Sequence, residues 1–301
     1  MSESPLRWAA VGGRFTFSPT EVTFHGGKVT LKGPDREQEA VGIGIAISNA
    51  RFAGGLLSAE VTFDNPVPES ACDLVFYYNP ATHAYMGAGI SNEVLYSIKL
   101  YDTRWQPYVL MGEPNRLEAD RPYHLECRVR GSLVRLLSEG VEVITHNLPV
   151  ALPQSQVGIW CRSTADIHIR NFTVTAEEPT AFVVMQFTAP FNQLFDEVIR
   201  PICQERGVRA VRADDTYGPG LIIADVVRQI DESKLVIAEI SPVNANVYYE
   251  VGYAHARGKP TILIADRSIE RLRSMCPRFA PCFTRTQSTV REGSKRACED
   301  I

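Results

Sequence analysis

The side chain in this chain best suited to bond-breaking chemistry is the carboxylate of Glu250, within the string N-A-N-V-Y-Y-E-V-G-Y-A-H-A-R-G-K-P over residues 244–260. The string follows an apolar run at 235–238 that reads as a buried strand. In open α/β sheets, ligands bind outside the carboxyl ends of the strands, where loops lead into helices. Glu250 is therefore expected in the first turn of a short helix, facing that crevice. A carboxylate there is placed to attack, or to stabilise, an electron-poor sugar carbon. The positive end of the helix dipole is expected to keep the acid ionised near neutral pH. The plainer alternative is a helix-start acid with no chemistry, because first turns are enriched in acidic side chains regardless of function.

Other residues converge on the same crevice. Met185, Gln186 and Phe187 end the first strand of this half, Asp214 ends the second, and Glu239 stands at the carboxyl end of the third. Asn244 and Asn246 suit the loop before the helix, since Asn tolerates turn geometry and caps free amides. Tyr249 adjoins Glu250, and G-P-G at 218–220 offers backbone amides, with Gly218 nearest the second strand. Together these form the expected substrate-binding set. Asp214 reads equally well as a solvated loop acid, and G-P-G as an ordinary turn. His255, five residues beyond Glu250, lies about 140° around the helix and is read as structural.

The elements that must hold these residues alternate strand and helix from residue 179 onward. An apolar run at 182–187 reads as a parallel strand buried on both faces. Pro190 opens a helix with Pro201 inside it, where a kink or early stop is expected. Strands at 208–212, 234–240 and 260–265 alternate with helices at 221–230 and 247–257. This implies a parallel, doubly wound α/β sheet with helices on both faces.

The ordered strings F-V-V-M-Q-F, R-A-D, V-I-A-E, N-A-N-V-Y-Y-E-V-G-Y-A-H-A and G-K-P-T-I-L-I cover residues 181–265. This segment resembles the nucleoside 2-deoxyribosyltransferase-like branch of the Toll/interleukin receptor (TIR)-like superfamily. The resemblance implies cleavage, transfer or recognition of N-glycosidic bonds in nucleosides and nucleotides, NAD+ included, with Glu250 as the nucleophile on C1′. It implies no cofactor, NAD+ being a substrate, and no metal. The transferases carry aspartate where this chain has Asn244, and many relatives carry aspartate in place of Glu239. The first departure weakens a strict transferase assignment and leaves open a non-catalytic nucleotide-sensing or oligomerising signalling module. Bacterial relatives join such domains to recognition modules in defence systems.

Residues 1–178 have a different grammar. Segments at 21–25, 57–63, 125–129 and 167–174 alternate with period two between Gly, Pro, Asn and Asp clusters, as in an antiparallel sandwich. Y-H-L-E-C-R-V-R-G at 123–131, the hairpin glycine Gly140, V-G-I-W-C at 157–161 and N-F-T-V at 171–174 resemble the closing strands of concanavalin A-like (laminin G-like) jelly rolls. Glucanases on that fold set carboxylates at alternate positions of one strand. Here Glu60 and Asp64 leave the intervening alternate position to Thr62, so they read as surface carboxylates. Tyr77, Tyr78 and Tyr85 read first as core or rim residues and second as sugar-stacking rings. The sandwich is expected to be a sensor or targeting module for a glycan or a protein.

The chain of 301 residues has room for two such domains, 1–178 and 179–271. A net charge of −4 without a basic run argues against nucleic acid, and no segment approaches a membrane span. The seven cysteines form no C-x-x-C pair, so free thiols and a cytoplasmic setting are expected. A homo-oligomer fits the signalling alternative.

The tail at 272–301 breaks the alternation, where the resemblance implies a fifth strand and a closing helix, both absent if the tail is out of frame. With suitable codons, the stretch from Arg273 read two nucleotides later gives L-D-V-S-A-F-R-T-M-L-Y-E-N-T-I, which resembles the missing strand of relatives. The tail is therefore read as a candidate frameshift product. Sequencing the encoding DNA tests this: the expected codons permit that second frame, and codons that do not permit it end the idea.

Overall fold

Period-two alternation becomes two antiparallel sheets. Along Pro122–Arg130 the residues Tyr123, Leu125, Cys127 and Val129 are buried while Pro122, His124 and Arg130 are exposed. The computed structural model describes residues 6–32, 37–149, 152–212, 223–241, 243–266 and 282–284. Contacts divide the chain into two units. One comprises Met1–Val129, Val134–His146 and Pro153–Glu177, and the other Arg130–Leu133, Asn147–Leu152 and Glu178–Ile301.

The first unit is an all-β sandwich of jelly-roll type. One sheet runs Trp8–Gly12, Glu37–Phe52, Ser155–Ser163, Ala71–Tyr78, Tyr85–Ser91, Tyr96–Asp102 and Arg104–Met111, with Lys28–Lys32 also paired to Glu37–Phe52. The other runs Val141–Asn147, Leu133–Ser138, Pro122–Arg130, Gly55–Phe63, Ile167–Ala176, Glu21–Phe24 and Phe15–Phe17. Leu57, Val61, Phe63, Leu74, Ile90, Leu125 and Ile159 are fully buried between them. Gly44 must lack a side chain, because a Cβ there would lie 2.6 Å from the Phe24 ring of the facing sheet.

A polar cluster lies on the other face of the first sheet, where Asp73 points away from its neighbour Leu74 and joins the side of Ala71, Val75 and Trp160. Asp73 is 1% exposed and its Oδ2 lies 3.1 Å from Lys99 Nζ, which sits 5.0 Å and 4.6 Å from the rings of Trp105 and Trp160. Burial pushes the Asp73 carboxyl upward, against the opposing pull of the Lys99 charge. Gly89, in register with Asp73 on the next strand, leaves room for it, since a Cβ there would stand 2.6 Å from Asp73 Cα.

The second unit is built on a small parallel sheet with few helices. The strand order is Arg209–Arg212, Thr180–Val184, Leu235–Glu239, Thr261–Asp266 and Cys282–Thr284, every neighbouring pair parallel. A three-residue fifth strand, Cys282–Thr284, pairs with Ile264, Ala265 and Asp266, against the absence that a frameshifted tail implies. The rest of the tail lies outside the described residues. One sheet face packs Phe182, Val184, Val236 and Ala238 against Val226 and Ile230 of helix Ile223–Glu232 and against Val247, Val251 and Ala254 of helix Ala245–Ala256. The other packs Ala181, Val183 and Ile237 against Phe195, Ile199 and Cys203.

Pro201 acts as its chemistry requires. Lacking an N–H and pressing on the carbonyl four residues back, it cannot continue a regular ladder. The helix widens into a π turn over Phe195–Ile199 between α-helical Phe191–Leu194 and Arg200–Glu205, so it continues past Pro201 without stopping.

The ion pair gives a stability test. Lys99→Met leaves the Asp73 carboxylate buried without its counter-charge and is expected to lower the unfolding free energy at neutral pH by about 3–5 kcal/mol. Urea titration measures this, and a loss of less than about 1 kcal/mol contradicts it.

Candidate functional site

The order of strands fixes where a crevice opens. From Thr180–Val184 the chain adds Arg209–Arg212 on one side, then crosses to add Leu235–Glu239 on the other. Loops leaving the carboxyl ends therefore part between the first and third strands of the sheet, the usual ligand position in such sheets. A cavity of about 880 Å³ lies there. Residues 183–188 line it from the strand end, Ile223 and Val226 from one helix, and Asn244, Asn246, Val247, Tyr249 and Glu250 from another.

Asn244 sets the second helix in place. Its backbone is extended (φ −131°, ψ 123°) and its Oδ1 accepts hydrogen bonds from the amides of Asn246 at 2.9 Å and Val247 at 3.5 Å. This is an N-cap, and it starts the helix at Ala245, two residues before the sequence-based expectation. Positions 246, 249 and 250 then share one face, at spacings of three and four, and turn to the cavity. Val247, Val251 and Ala254 face the core.

The earlier start changes the electrostatics of Glu250. It stands in the second turn, and the first turn holds no acid. The dipole effect falls off within the first turn, so it does not hold this carboxylate ionised as the sequence implied. Burial alone pushes the Glu250 carboxyl up to about 7. Near neutral pH the group is shared between its two protonation states.

Of the other expected site residues, Met185, Gln186, Phe187, Asn244, Asn246 and Tyr249 all line the cavity. Phe187 and Tyr249 are exposed rings, and Met185 is buried. Glu239 is not among the lining residues. Its Oε1 accepts hydrogen bonds from the Ser241 amide at 3.1 Å and the Ser241 hydroxyl at 2.6 Å. Ser241 Oγ in turn accepts from the Asp266 amide at 2.7 Å, so Glu239 ties two strand ends together. Its carboxyl is pushed up to about 7, first by burial, with Asp266 adding to the rise and the Ser241 bonds opposing it. Asp214 and Gly218 lie outside the described residues.

Sequence reasoning missed Thr188, Ile223 and Val226 as lining residues, and it missed Arg212. The Arg212 guanidinium lies 5.2 Å from the Phe187 ring and 4.5 Å from the Phe195 ring and donates to Asn192 Oδ1 at 2.8 Å. No local sequence signal marked this contact, since Phe187 and Phe195 both lie well before Arg212 in the chain. Much of the remaining string is structural. Lys259 Nζ donates to the carbonyls of Asp231 and Ser233 at 2.5 and 2.8 Å, capping the end of helix Ile223–Glu232, and burial lowers it to about 8. Tyr253 and Arg257 bind the Asp231 carboxylate.

The sandwich has its own cavity of about 670 Å³, lined by Trp8, Phe172, Glu21, Asn49, Arg51 and Asn171 among others. Trp8 and Phe172 meet edge to face at 5.0 Å. Asn171, at φ 52°, sits in a bulge of Ile167–Ala176 that turns Phe172 toward this space. Tyr78 and Tyr85 are core residues, and Tyr85 stacks on Tyr101 at 5.2 Å. Asp64 lies on the surface, 3.1 Å from His168 Nε2. Among the described residues no cluster of three or more His, Cys, Asp or Glu side chains could hold a metal ion, and no helix is long and apolar enough to cross a membrane.

No family model matches the chain, and no curated protein sequence is similar to it. Solved structures similar to part of it include the carbohydrate-binding module CBM66 from Bacillus subtilis, at 14% identity and a TM-score of 0.45, covering 55% of this chain and 93% of that one. A prokaryotic β-1,3-1,4-glucanase (lichenase) derived from a mouse hindgut metagenome matches at 10% identity and a TM-score of 0.40, covering 57% of this chain and 93% of that one. The Bacillus licheniformis β-glucanase matches at 10% identity and a TM-score of 0.37, covering 58% and 95%.

The raised carboxyls make stability pH-dependent in a defined direction. A carboxyl that holds its proton to about pH 7 when folded, but loses it near 4.5 when unfolded, contributes stability that is full below pH 4.5 and lost as pH rises to 7. Glu250→Gln abolishes its share of that loss. The variant should match the parent at pH 4.5 and exceed it by about 1–2 kcal/mol at pH 8, a half-buried fraction of the full linkage value. Urea titrations at the two pH values test this, and an equal difference at both contradicts it.

Proposed function

We propose that the second unit is a doubly wound α/β domain of the nucleoside 2-deoxyribosyltransferase-like, TIR-like type, and that it cleaves or transfers the N-glycosidic bond of a nucleoside or nucleotide. The observation that carries this reading is the position of Glu250. It is the acid among the described residues lining the switch-point cavity, on one helix face with Asn246 and Tyr249. With its carboxyl near 7, the ionised form supports positive charge at C1′ and the protonated form can give a proton to a departing base. Phe187 and Tyr249 offer rings for the base, and Gln186, Asn244 and Asn246 offer polar groups for sugar hydroxyls.

In this reading the sandwich is a sensor or targeting module in a cytoplasmic protein. Its own cavity, with two aromatic rings beside an acid, an arginine and two amides, suits a neutral sugar. A second reading, a nucleotide-sensing module without turnover, draws on Asn244: the transferases carry an acid there, and here the side chain serves as a helix cap.

Purified protein offered a panel of nucleosides and nucleotides is expected to release free base from at least one. Glu250→Gln, nearly isosteric and uncharged, should lower that rate at least about a hundredfold while leaving the circular dichroism spectrum unchanged. Undiminished release by the variant removes Glu250 from the mechanism. Base release from no substrate favours the sensing module.

A further inference from the structure

One wall of the Glu250 cavity is held from behind by a buried cation. Phe187 and Thr188 are consecutive lining residues on the chain that leaves strand Thr180–Val184. Phe187 is 46% exposed, so core packing fixes little of its ring. Arg212 ends the neighbouring strand Arg209–Arg212, in register with Val183, and is buried. Its guanidinium lies over the Phe187 ring, 5.2 Å from the centroid, and over the Phe195 ring at 4.5 Å. Phe195 is fully buried and packs with Ile199 and Cys203. The same guanidinium donates to Asn192 Oδ1 at 2.8 Å, and the Asn192 amide donates to the Thr188 carbonyl at 3.1 Å. One side chain thus joins both residues of the wall to the core, Phe187 through its ring and Thr188 through Asn192.

Resting on the reading that this cavity takes a base, we infer that Arg212 is a positioning residue, which holds the Phe187 ring as a stacking wall for the flat group of the ligand. Arg212 is not itself a lining residue and acts through Phe187. A guanidinium is planar, always charged and drawn to the negative face of an aromatic ring, so it fixes the plane of that ring as well as its place. A ring held beforehand loses less freedom on binding than one that the ligand must capture. The effect falls on affinity more than on the chemical step, since a stacked base is held alike before and during bond breaking. Lysine keeps the charge without the flat face or the fork of donors, so it replaces Arg212 only in part.

Two measurements on the full chain test this. In the first, NMR with ring-labelled phenylalanine follows Phe187, whose resonances are those lost in Phe187→Leu. They are expected to lie away from the values of free phenylalanine, to move at least halfway back in Arg212→Gln, and to move less in Arg212→Lys. Asn192→Ala removes the acceptor of the guanidinium while leaving Arg212 in place, which keeps the test open if the Gln variant fails to fold, and it should shift Phe187 in the same direction. Phe187 resonances that stay in place in the folded variants overturn the inference. In the second, base release is measured on the substrate found in the nucleoside and nucleotide panel. Arg212→Gln is expected to raise KM at least fivefold, by a larger factor than it lowers kcat. Combined with Phe187→Leu, it should show no more than the larger single effect, because both act through one ring. Additive effects, or a loss confined to kcat, overturn the inference and leave the N-glycosidase reading standing. If the parent releases base from no substrate, that reading fails, and the Phe187 resonances alone decide whether Arg212 sets the ring.

Discussion

A reversal of strand order in the parallel sheet governs everything that follows in this unit. Strands are added on opposite sides of Thr180–Val184, and the loops at its carboxyl end are forced apart. The helix that follows Leu235–Glu239 must then cover one sheet face while its start borders the gap. Burying Val247, Val251 and Ala254 anchors that helix, with about 1.5–3 kcal/mol for each fully buried valine. The 3.6-residue period leaves 246, 249 and 250 on the adjoining face. Glu250 thus faces the cavity because Val247 and Val251, on the adjoining face of the helix, are held in the core.

The same constraint explains why two glutamates with similarly raised carboxyls differ in role. Glu239 ends the central strand, 4% exposed, and satisfies one oxygen with Ser241, which is itself fixed by Asp266. It is a linking group between strand ends. Glu250 is raised by burial alone and opens on a cavity. A perturbed carboxyl is a sign of function when geometry leaves it room for a ligand, and only the second has that room.

Much of this was legible in the sequence. Alternation marked the sandwich strands because side chains on a strand point to opposite faces, and unbroken apolar runs marked parallel strands covered on both sides. Six of the expected binding residues reach one cavity because strand ends and helix starts converge at a switch point whatever their identity. The misreadings have local physical causes. Asn244 caps amides as its type suggests, but the helix it opens takes in Ala245 and Asn246, which were read as loop, and this moves Glu250 two residues further from the helix start. Glu239 was given to the crevice on its strand position, but Ser241, two residues on, turns its carboxylate inward. The pairing of Cys282–Thr284 had no periodic signature, since three residues are too few to carry one. Burial, which sets the protonation of Glu250, depends on the helix Ile223–Glu232 and the strand end at 183–188, far away in sequence.

The account turns on a Glu250 carboxyl raised by its position beside the switch-point cavity. The most direct measurement is a ¹³C NMR titration of glutamate side-chain carboxyls, with Glu250 assigned by comparison with Glu250→Gln. The resonance lost in the variant should titrate near 7. A midpoint at or below the ordinary value of 4.5 would mean that the carboxylate is solvated or paired, and that the cavity does not shape its chemistry.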